Sequence, residues 1–441
     1  MKKENDLNGV FGSLLPEIGQ AISEAGYHTP SPIQEQAIRP LLEGRDMIGC
    51  AQTGTGKTAA FTLPILQYLT IKNKKPVSKR PEVLILAPTR ELAAQIGDSV
   101  AKYGKHTKIS QTVIFGGVGQ NPQVKAIRRG VNILVATPGR LMDLVSQNCI
   151  DLGGVEIFVL DEADRMLDMG FIHDIKKVIA KLPKKRQSLF FSATMEPKVK
   201  QLAESLVNNP AQVSIEPDKP AVDRIIQKMM FVDKKNKDEA IMALMASKKL
   251  DRVIIFVQMK HVANKVTRKL EGIGISTAAI HGNKSQGART QALADFKSGK
   301  LRALVATDIA ARGIDVDGIS HVINYDIPVE PETYVHRIGR TARAGADGDA
   351  ISICSAQERD YLRAIEKLIR IQIPVDLKHS LHCEKSMNAT GADAKPGPKV
   401  RQNHGKITVG ANGRAKQVGS NKRPGKVQSR RSSNSRRKSY G

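Results

Sequence analysis

Short apolar runs alternate along the chain with amphipathic stretches of helical length. Runs rich in Val, Ile and Leu that are bounded by turn residues are typical of strands buried on both faces of a parallel sheet. The predicted strands span residues 83–87, 112–115, 132–136, 156–160 and 188–191, and then 252–257, 276–280, 302–306, 320–324 and 349–354. The pattern therefore predicts an α/β fold built on parallel sheets.

A polar, proline-containing segment divides this pattern into two halves. The stretch NNPAQVSIEPDKPAVD contains three prolines, and its composition suits a linker, which we place at residues 208–222. The tetrapeptide LVAT ends a predicted strand in each half, at 134–137 and at 304–307. This echo favours two copies of one architecture. We therefore predict one domain over residues 1–207 and a second over 223–375.

The C-terminal segment has a different composition. Residues 384–441 contain 15 Lys and Arg but 2 Asp and Glu, and they hold almost no large apolar side chains. Such a segment cannot bury enough surface to order itself, so we predict a disordered basic tail over residues 376–441. The whole chain carries a net charge of +26. A positive field of this size attracts polyanions, either nucleic acid or an acidic membrane surface.

Several features predict a cytoplasmic protein that does not insert into a membrane. The first residues mix acids and Asn where a signal peptide needs an apolar run. The apolar runs, such as VLILA, are far shorter than the roughly 20 residues that cross a bilayer. The four cysteines form no CxxC pair, which favours reduced thiols. His379, His382 and Cys383 could be read as metal ligands, but no fourth ligand of suitable spacing lies nearby.

Polar motifs follow the predicted strands directly. PTRELA follows the strand at 83–87, TPGR follows 132–136, DEAD follows 156–160, SAT follows 188–191, and TDIAARGID follows 302–306. Ligands of open α/β sheets bind beyond the carboxyl ends of the strands. The motifs are therefore expected to form a binding site at that edge of each sheet.

The string AQTGTGKT has the form of a phosphate-binding loop. Glycines let backbone N–H groups close around phosphate oxygens at a helix N-terminus, Lys57 is expected to reach the β and γ phosphates, and Thr58 offers a hydroxyl to Mg²⁺. The alternative, a glycine-rich turn without a ligand, is weaker for this string. The predicted loop residues are Ala51, Gln52, Thr53, Gly54, Thr55, Gly56, Lys57 and Thr58.

The string VLDEAD supplies a pair of carboxylates. Asp161 ends an apolar strand and is placed to hold Mg²⁺ through water, while Glu162 can accept a proton from the attacking water. Adjacent acids are otherwise ordinary surface residues. Because these two follow a run of apolar residues, a nearby metal explains them better.

With these motifs in hand, the chain resembles the DEAD-box ATP-dependent RNA helicases, and among them the bacterial RhlE type most closely. The matching strings run in the family's order from residue 11 to about 345. They include GYHTPSPIQ, AQTGTGKT, APTRELA, Gly116–Gly117, TPGR, VLDEAD, SAT, HGNKSQGAR, ATDIAARGID and HRIGRTARAG. The resemblance implies two tandem RecA-like domains, with ATP and Mg²⁺ as cofactors and RNA as the partner.

The resemblance also implies roles for individual residues. Gln34 would hold the adenine edge, Phe11 would stack on the base, and Asp315 would meet the ribose. Backbone contacts, which hold a strand without reading its sequence, would come from Thr89, Arg90, Gly117, Thr137, Arg140, Gly282 and Thr307.

Six further positions would link the nucleotide to domain closure. Ser192 and Thr194 would couple the ATP state to closure, and His336 and Arg337 would brace the acidic and SAT loops across the two domains. Arg340 and Arg343 would reach the γ phosphate as arginine fingers. These arginines make hydrolysis depend on closure.

The resulting prediction is an RNA-dependent ATPase that clamps RNA, locally unwinds short duplexes and remodels RNA–protein complexes without sequence specificity. A DNA translocase would share the phosphate loop and the arginines, and a non-enzymatic RNA chaperone would need only the basic surface. The basic tail is expected to tether RNA. Ribosomal precursors and RNA-decay proteins are both open as partners.

Overall fold

The computed structural model describes residues 7–52, 54–215, 225–247, 250–311, 316, 318–341 and 348–395. These residues form two parallel β-sheets flanked by helices. The two sheets follow one another along the chain, as the alternating pattern predicts. None of the helices in these ranges is long and apolar enough to cross a membrane.

The first sheet has seven strands, all parallel, in the order β3-β4-β2-β5-β6-β1-β7. The five predicted strands form its centre and one edge. The strands are β1 (Met47–Cys50), β2 (Val83–Leu86), β3 (Gln111–Ile114), β4 (Ile133–Ala136), β5 (Ile157–Leu160), β6 (Gln187–Ser192) and β7 (Ala211–Ser214).

The second sheet has six strands, again all parallel, in the order β10-β11-β9-β12-β13-β8. Its strands are β8 (Ile225–Phe231), β9 (Val253–Val257), β10 (Thr277–Ile280), β11 (Ala303–Thr307), β12 (His321–Asn324) and β13 (Gly348–Cys354).

The two sheets repeat one topology. If the strands of the second sheet are renumbered from its own first strand, their order becomes 3-4-2-5-6-1, which is the order of the first sheet without β7. The two LVAT strings end β4 and β11, which hold equivalent places beside the edge strand. The predicted fold class, two copies of one parallel-sheet architecture, is therefore confirmed.

Helices cover both faces of each sheet. Alternate residues of β2 enter different cores, because Val83 and Ile85 pack with one helical layer and Leu84 and Leu86 with the other. The first unit contains α1 (Pro16–Glu24), α2 (Pro32–Leu42), α3 (Lys57–Lys72), α4 (Arg90–Tyr103), α5 (Asn121–Arg129), α6 (Pro138–Ser146), α7 (Ala163–Asp168), α8 (Ile172–Ile179) and α9 (Pro197–Glu204). The second contains α10 (Lys237–Ala246), α11 (Lys260–Gly272), α12 (Gln286–Lys297), α13 (Asp308–Ala311), α14 (Pro331–Ile338), α15 (Arg359–Ile369) and α16 (Glu384–Met387).

Three strands were absent from the prediction for different reasons. In β1 a glycine interrupts the apolar run, and Gly49 is required there because a Cβ would lie 2.6 Å from the Phe191 ring. Both β7 and β8 begin by alternating buried and exposed residues, so they lack the continuous apolar run of a central strand. As a result, the predicted linker at 208–222 contains the edge strand β7, and its residues from 216 onward lie outside the described part.

The predicted boundary between the second domain and the tail is too early. Residues 376–395 pack against the second sheet instead of leaving it. The Asp376 N–H donates to the Met229 carbonyl at 2.8 Å, and the Cys383 N–H donates to the Phe231 carbonyl at 2.9 Å. Because these bonds satisfy the exposed edge of β8, the segment belongs to the folded unit. The remainder of the predicted tail, 396–441, lies outside the described residues.

Candidate functional site

The phosphate-loop string lies between β1 and α3, at the carboxyl edge of the first sheet. Two of its glycines adopt left-handed backbone conformations, with φ of 90° at Gly54 and 94° at Gly56. A Cβ on Gly56 would also lie 2.4 Å from Gln34 Nε2, so only glycine fits at this position. Lys57 is buried, and its ammonium donates to the Ala51 carbonyl. The loop therefore folds around its own lysine at the start of a helix, where the macrodipole favours an anion.

Gln34 joins the GYHTPSPIQ motif to this loop. Its Oε1 accepts from the Ser31 N–H at 2.8 Å, which caps α2, and its Nε2 donates to the Gly56 carbonyl at 3.1 Å. The Ser31 hydroxyl donates to the Thr55 carbonyl at 2.7 Å. The amide predicted to hold adenine is thus already fixed against the phosphate loop.

A cavity of about 460 Å³ opens in front of the loop. Phe11 lines it from a short 3-10 helix, although most of its ring is buried in the core. Tyr27 and Tyr103 also line the cavity, with ring centroids 6.2 Å apart, and the sequence analysis did not single them out. The predicted residues that share this cavity are Phe11, Gln34, Gly54, Thr55, Gly56, Lys57, Thr58, Asp161 and Glu162.

The two acids of the DEAD string lie at the carboxyl end of β5. Burial and the charge of the adjacent Glu162 raise the pKa of Asp161 to about 7. A cation bound beside a buried carboxyl of this kind would stabilise the charged form. With the Thr58 hydroxyl lining the same cavity, this oxygen donor set fits Mg²⁺, which needs few protein ligands when phosphates supply others.

The last acid of the DEAD string fixes the SAT loop. Asp164 Oδ2 accepts from the backbone N–H groups of Ala193 and Thr194 at 3.1 and 3.0 Å, and from the Thr194 hydroxyl at 3.3 Å. The Ser192 hydroxyl in turn accepts from the Asp164 N–H at 3.3 Å. The structure therefore brings the predicted coupling residues Ser192 and Thr194 into direct contact with the acidic loop.

Three of the predicted nucleic-acid residues of the first unit, Arg90, Gly117 and Arg140, take part in two contacts between loops. The Arg90 guanidinium lies so close to Gly117 that a Cβ there would be 2.1 Å from Arg90 Nη1. Arg140 Nη2 donates to the Val118 carbonyl at 3.2 Å, in the same loop as Gly117. Thr89 caps α4 by accepting from the Leu92 N–H. Thr137, at the N-cap position of α6, follows β4 at the same edge of the sheet.

The second unit presents its predicted residues at the carboxyl ends of its own strands. Thr307 ends β11, and Gly282 lies two residues beyond β10. The loop at Gly282 is held by His281, whose Nδ1 accepts from the Asn283 N–H at 3.3 Å and whose Nε2 lies 3.0 Å from Asn264 Oδ1. Burial and nearby cations lower the pKa of His281, which favours the neutral ring that these bonds require.

Arg337 differs from its predicted role. Its guanidinium is 1% exposed and forms a bidentate pair with Asp308, with Nε to Oδ1 at 2.6 Å and Nη2 to Oδ2 at 2.8 Å. Nη1 donates to Asn324 Oδ1 and to the Asp326 carbonyl. All these partners belong to the second unit, so Arg337 braces that unit internally and does not join the two units through these bonds.

Arg340 lies at a small cavity between the two units. Its Nε donates to the His336 carbonyl at 3.2 Å. Both side chains line this cavity together with Arg165, which lies three residues after Glu162 in the first unit. Arg340 is thus placed on the side of the cleft that faces the DEAD loop. The predicted positions Thr53, Asp315 and Arg343 lie outside the described residues.

A buried contact between the units was missed by the sequence analysis. Glu91, at the start of α4, accepts from Gln286 Nε2 at 3.0 Å and pairs with Arg289 Nη2 at 2.9 Å. All three residues lie inside quoted motifs, but their spacing alone does not show that they meet. The side chains of Glu91 and Arg289 are 4% and 9% exposed, and breaking a buried pair of this kind costs about 3–5 kcal/mol.

The HSLHC string makes no metal centre in the described part of the chain, where no group of three or more His, Cys, Asp or Glu side chains is placed to hold a metal ion. Its two histidine rings pack edge to face with centroids 5.7 Å apart.

Two family models match the chain, one in each unit. The DEAD/DEAH box helicase model matches residues 31–202, and the model of the helicase conserved C-terminal domain matches residues 236–345. Together they cover the phosphate loop, the DEAD and SAT strings and the arginine-rich string.

Curated proteins are similar over most of the chain. The ATP-dependent RNA helicase DeaD of Escherichia coli is 42% identical over 362 residues, which make up 82% of this chain and 57% of that protein. The DEAD-box ATP-dependent RNA helicase RhpA of Helicobacter pylori is 41% identical over 369 residues, or 84% of this chain and 73% of that protein. The chain therefore spans little more than half the length of DeaD and about three quarters of RhpA.

A solved structure shares the whole two-sheet arrangement. S. cerevisiae Dbp5 bound to RNA and ADP BeF3 superposes with a TM-score of 0.72 and is 34% identical, covering 82% of this chain and 94% of that one. The predicted pair of RecA-like domains is confirmed by this likeness. By its motifs, its two family models and its identity to these relatives, the chain belongs to the DEAD-box ATP-dependent RNA helicases.

Proposed function

We propose that this protein is an RNA-dependent ATPase that clamps RNA between its two domains and separates short duplexes. One observation carries the proposal. Arg340 of the second unit and Arg165 of the first line a single cavity, and Glu162, the ion-pair partner of Arg165, lines the cavity in front of the phosphate loop, so groups from both units adjoin the place where ATP would bind. A site assembled from two domains can make ATP turnover depend on their closure.

ATP would occupy the cavity in front of the phosphate loop. Lys57 and the loop N–H groups would hold the phosphates, Gln34 would bind the adenine edge, and Phe11 would pack against the base. Thr58 and Asp161 would hold Mg²⁺, which supplies charge neutralisation of the phosphates when bound. The Gln34 amide is already hydrogen-bonded to Ser31 and to Gly56. To bind the base, it would exchange one of these hydrogen bonds for a hydrogen bond to the adenine.

Hydrolysis would use groups from both domains. Glu162 would accept a proton from the attacking water, while Arg340 and Arg343 would stabilise the negative charge that develops in phosphoryl transfer. Asp315 would contact the ribose. Asp164, bonded to Thr194 and to Ser192, would transmit the state of the acidic loop to the SAT loop.

RNA would bind across the carboxyl edges of the two sheets. Thr89, Arg90, Gly117, Thr137 and Arg140 would contact sugar and phosphate from one side, and Gly282 and Thr307 from the other. Backbone contacts carry no sequence information, so we expect little sequence preference. The Glu91 contact with Gln286 and Arg289 would hold the two sets of loops at a fixed separation on a bent strand.

Two alternative functions predict different behaviour. A DNA translocase would accept DNA as readily as RNA, and a non-enzymatic RNA chaperone would leave Lys57, Glu162 and Arg340 without a purpose. The family match favours the RNA enzyme. The RhlE type, a cytoplasmic location, and ribosome assembly or RNA decay as the process all stay predictions.

RNA, but not DNA, should stimulate ATP hydrolysis. Steady-state turnover is measured with no nucleic acid, with RNA and with DNA of the same sequence. We expect stimulation by RNA, because the predicted contacts suit a ribose backbone, and its loss in Glu162→Gln, which keeps the side-chain shape but removes the base. Equal stimulation by DNA would favour the translocase, and no turnover at all would leave an RNA-binding protein.

Loss of the predicted arginine finger should separate turnover from binding. In Arg340→Ala we expect RNA-stimulated kcat to fall by roughly 10³-fold or more, because such arginines contribute about 10³–10⁵ to kcat. The Kd for ATP should change little, since the cavity that binds ATP belongs to the first unit. Arg340→Lys is the matched control, which keeps the charge but not the planar group. Near-normal kcat in Arg340→Ala would remove the assignment.

The basic C-terminal segment should act as a nonspecific RNA tether. Residues 396–441 contain 13 Lys and Arg and no acid. A cut after Lys395 removes them while keeping the residues that pair with β8. We expect the dependence of log Kd on log salt to flatten by about 2 units or more, since each phosphate contact contributes about 0.7 on single strands. A full-length variant with Gln at Arg430, Arg431, Arg436 and Arg437 separates charge from length. An unchanged slope would mean that the segment binds something else.

A further inference from the structure

We propose that Arg165 is a positioning residue for Glu162, and that it fixes the carboxylate which accepts the proton of the attacking water. The inference rests on the proposed function and assigns a role to a residue that no motif role covers. It starts from a buried ion pair, in which Arg165 Nη1 donates to Glu162 Oε2. The two side chains are 9% and 6% exposed, so neither charge is well solvated.

The Glu162 carboxylate depends on this one partner. Among the described residues, no side chain or backbone group other than Arg165 bonds to either of its oxygens, and Oε1 is left available. The backbone of Glu162 lies in the left-handed region with φ of 53°, which directs the start of the side chain at the turn from β5 into α7. A buried carboxylate that is held through one oxygen keeps the other oxygen for a proton.

Arg165 has few alternatives to Glu162. In the described part of the chain its only ion pair is with Glu162. The nearest acid of the second unit in the shared cavity is Asp308, and both of its oxygens are already bonded to Arg337. The two arginines of the second unit that line that cavity, Arg337 and Arg340, carry the same charge as Arg165 and repel it. These charges keep the Arg165 guanidinium directed at Glu162.

The ion pair connects two cavities. Glu162 lines the cavity in front of the phosphate loop, and Arg165 lines the cavity that faces Arg340. Loss of the Arg165 guanidinium would free the Glu162 carboxylate to rotate away from the water, without changing the residues proposed to bind ATP or RNA.

The test is a double-variant cycle on the full chain. RNA-stimulated kcat, the KM for ATP and the Kd for RNA are measured for Arg165→Met, Glu162→Gln and the double variant. Because Arg165 acts through Glu162, we expect Arg165→Met to lower kcat roughly 10- to 100-fold, which is part of the roughly 10²- to 10⁴-fold contribution of a positioned base. The KM and the Kd should stay within about twofold, and Arg165→Met should lower kcat no further in the Glu162→Gln background.

Arg165→Lys is the conservative control, and it also serves if Arg165→Met fails to fold because Glu162 is left buried without a partner. The lysine keeps the charge, so its variant should fold with an unchanged thermal midpoint and recover part of the lost kcat. The double variant removes both charges and should also fold.

Three results would overturn the inference. They are a kcat of Arg165→Met close to that of the wild type, a further loss in the Glu162→Gln background, and a rise in turnover without RNA, which would make the ion pair inhibitory. The proposed function fails separately, if the wild-type chain shows no RNA-stimulated turnover or Glu162→Gln retains it.

Discussion

The buried contact of Glu91 with Arg289 and Gln286 is the interaction on which the arrangement of the site depends. Parallel sheets expose their functional loops at the carboxyl ends of the strands, so two such sheets can share a ligand only if these edges face each other. A charged pair that is almost completely buried holds the start of α4 against α12. The adjacent residue Arg90 contacts the loop of Gly117, so the same contact aligns the predicted RNA loops.

The loops around the nucleotide cavity are also held together by hydrogen bonds and an ion pair. The phosphate loop is bonded to Gln34, the acidic loop is bonded to the SAT loop through Asp164, and Glu162, the proposed base, is bonded to Arg165. The first two bonds join separate motifs, and the third joins Glu162 to a residue three positions later in the chain. In the proposed mechanism these bonds would provide a short path between the phosphates and the domain cleft.

Much of the fold could be predicted because central parallel strands are continuous apolar runs. The edge strand β8 and the interrupted strand β1 could not be predicted in this way. Strand β8 begins by alternating buried and exposed residues, and Gly49 breaks the apolar run in β1. The candidate site residues were predicted from motif chemistry and from the family resemblance, and the structure brings nine of them to one cavity. The partners of Glu91 and the internal bonds of Arg337 depend on side-chain geometry between distant segments, which spacing does not encode. The packing of residues 376–395 against the second sheet was missed because the segment is largely polar yet satisfies a sheet edge.

The most direct test of the account is whether nucleotide and RNA strengthen each other's binding. The Kd of a short single-stranded RNA is measured with and without a non-hydrolysable ATP analogue, and the Kd of the analogue is measured with and without RNA. A site shared between two closing domains predicts that each ligand tightens the other by the same factor, of about 5-fold or more. Independent binding of the two ligands would contradict the account, because each would then occupy a site complete without the other domain.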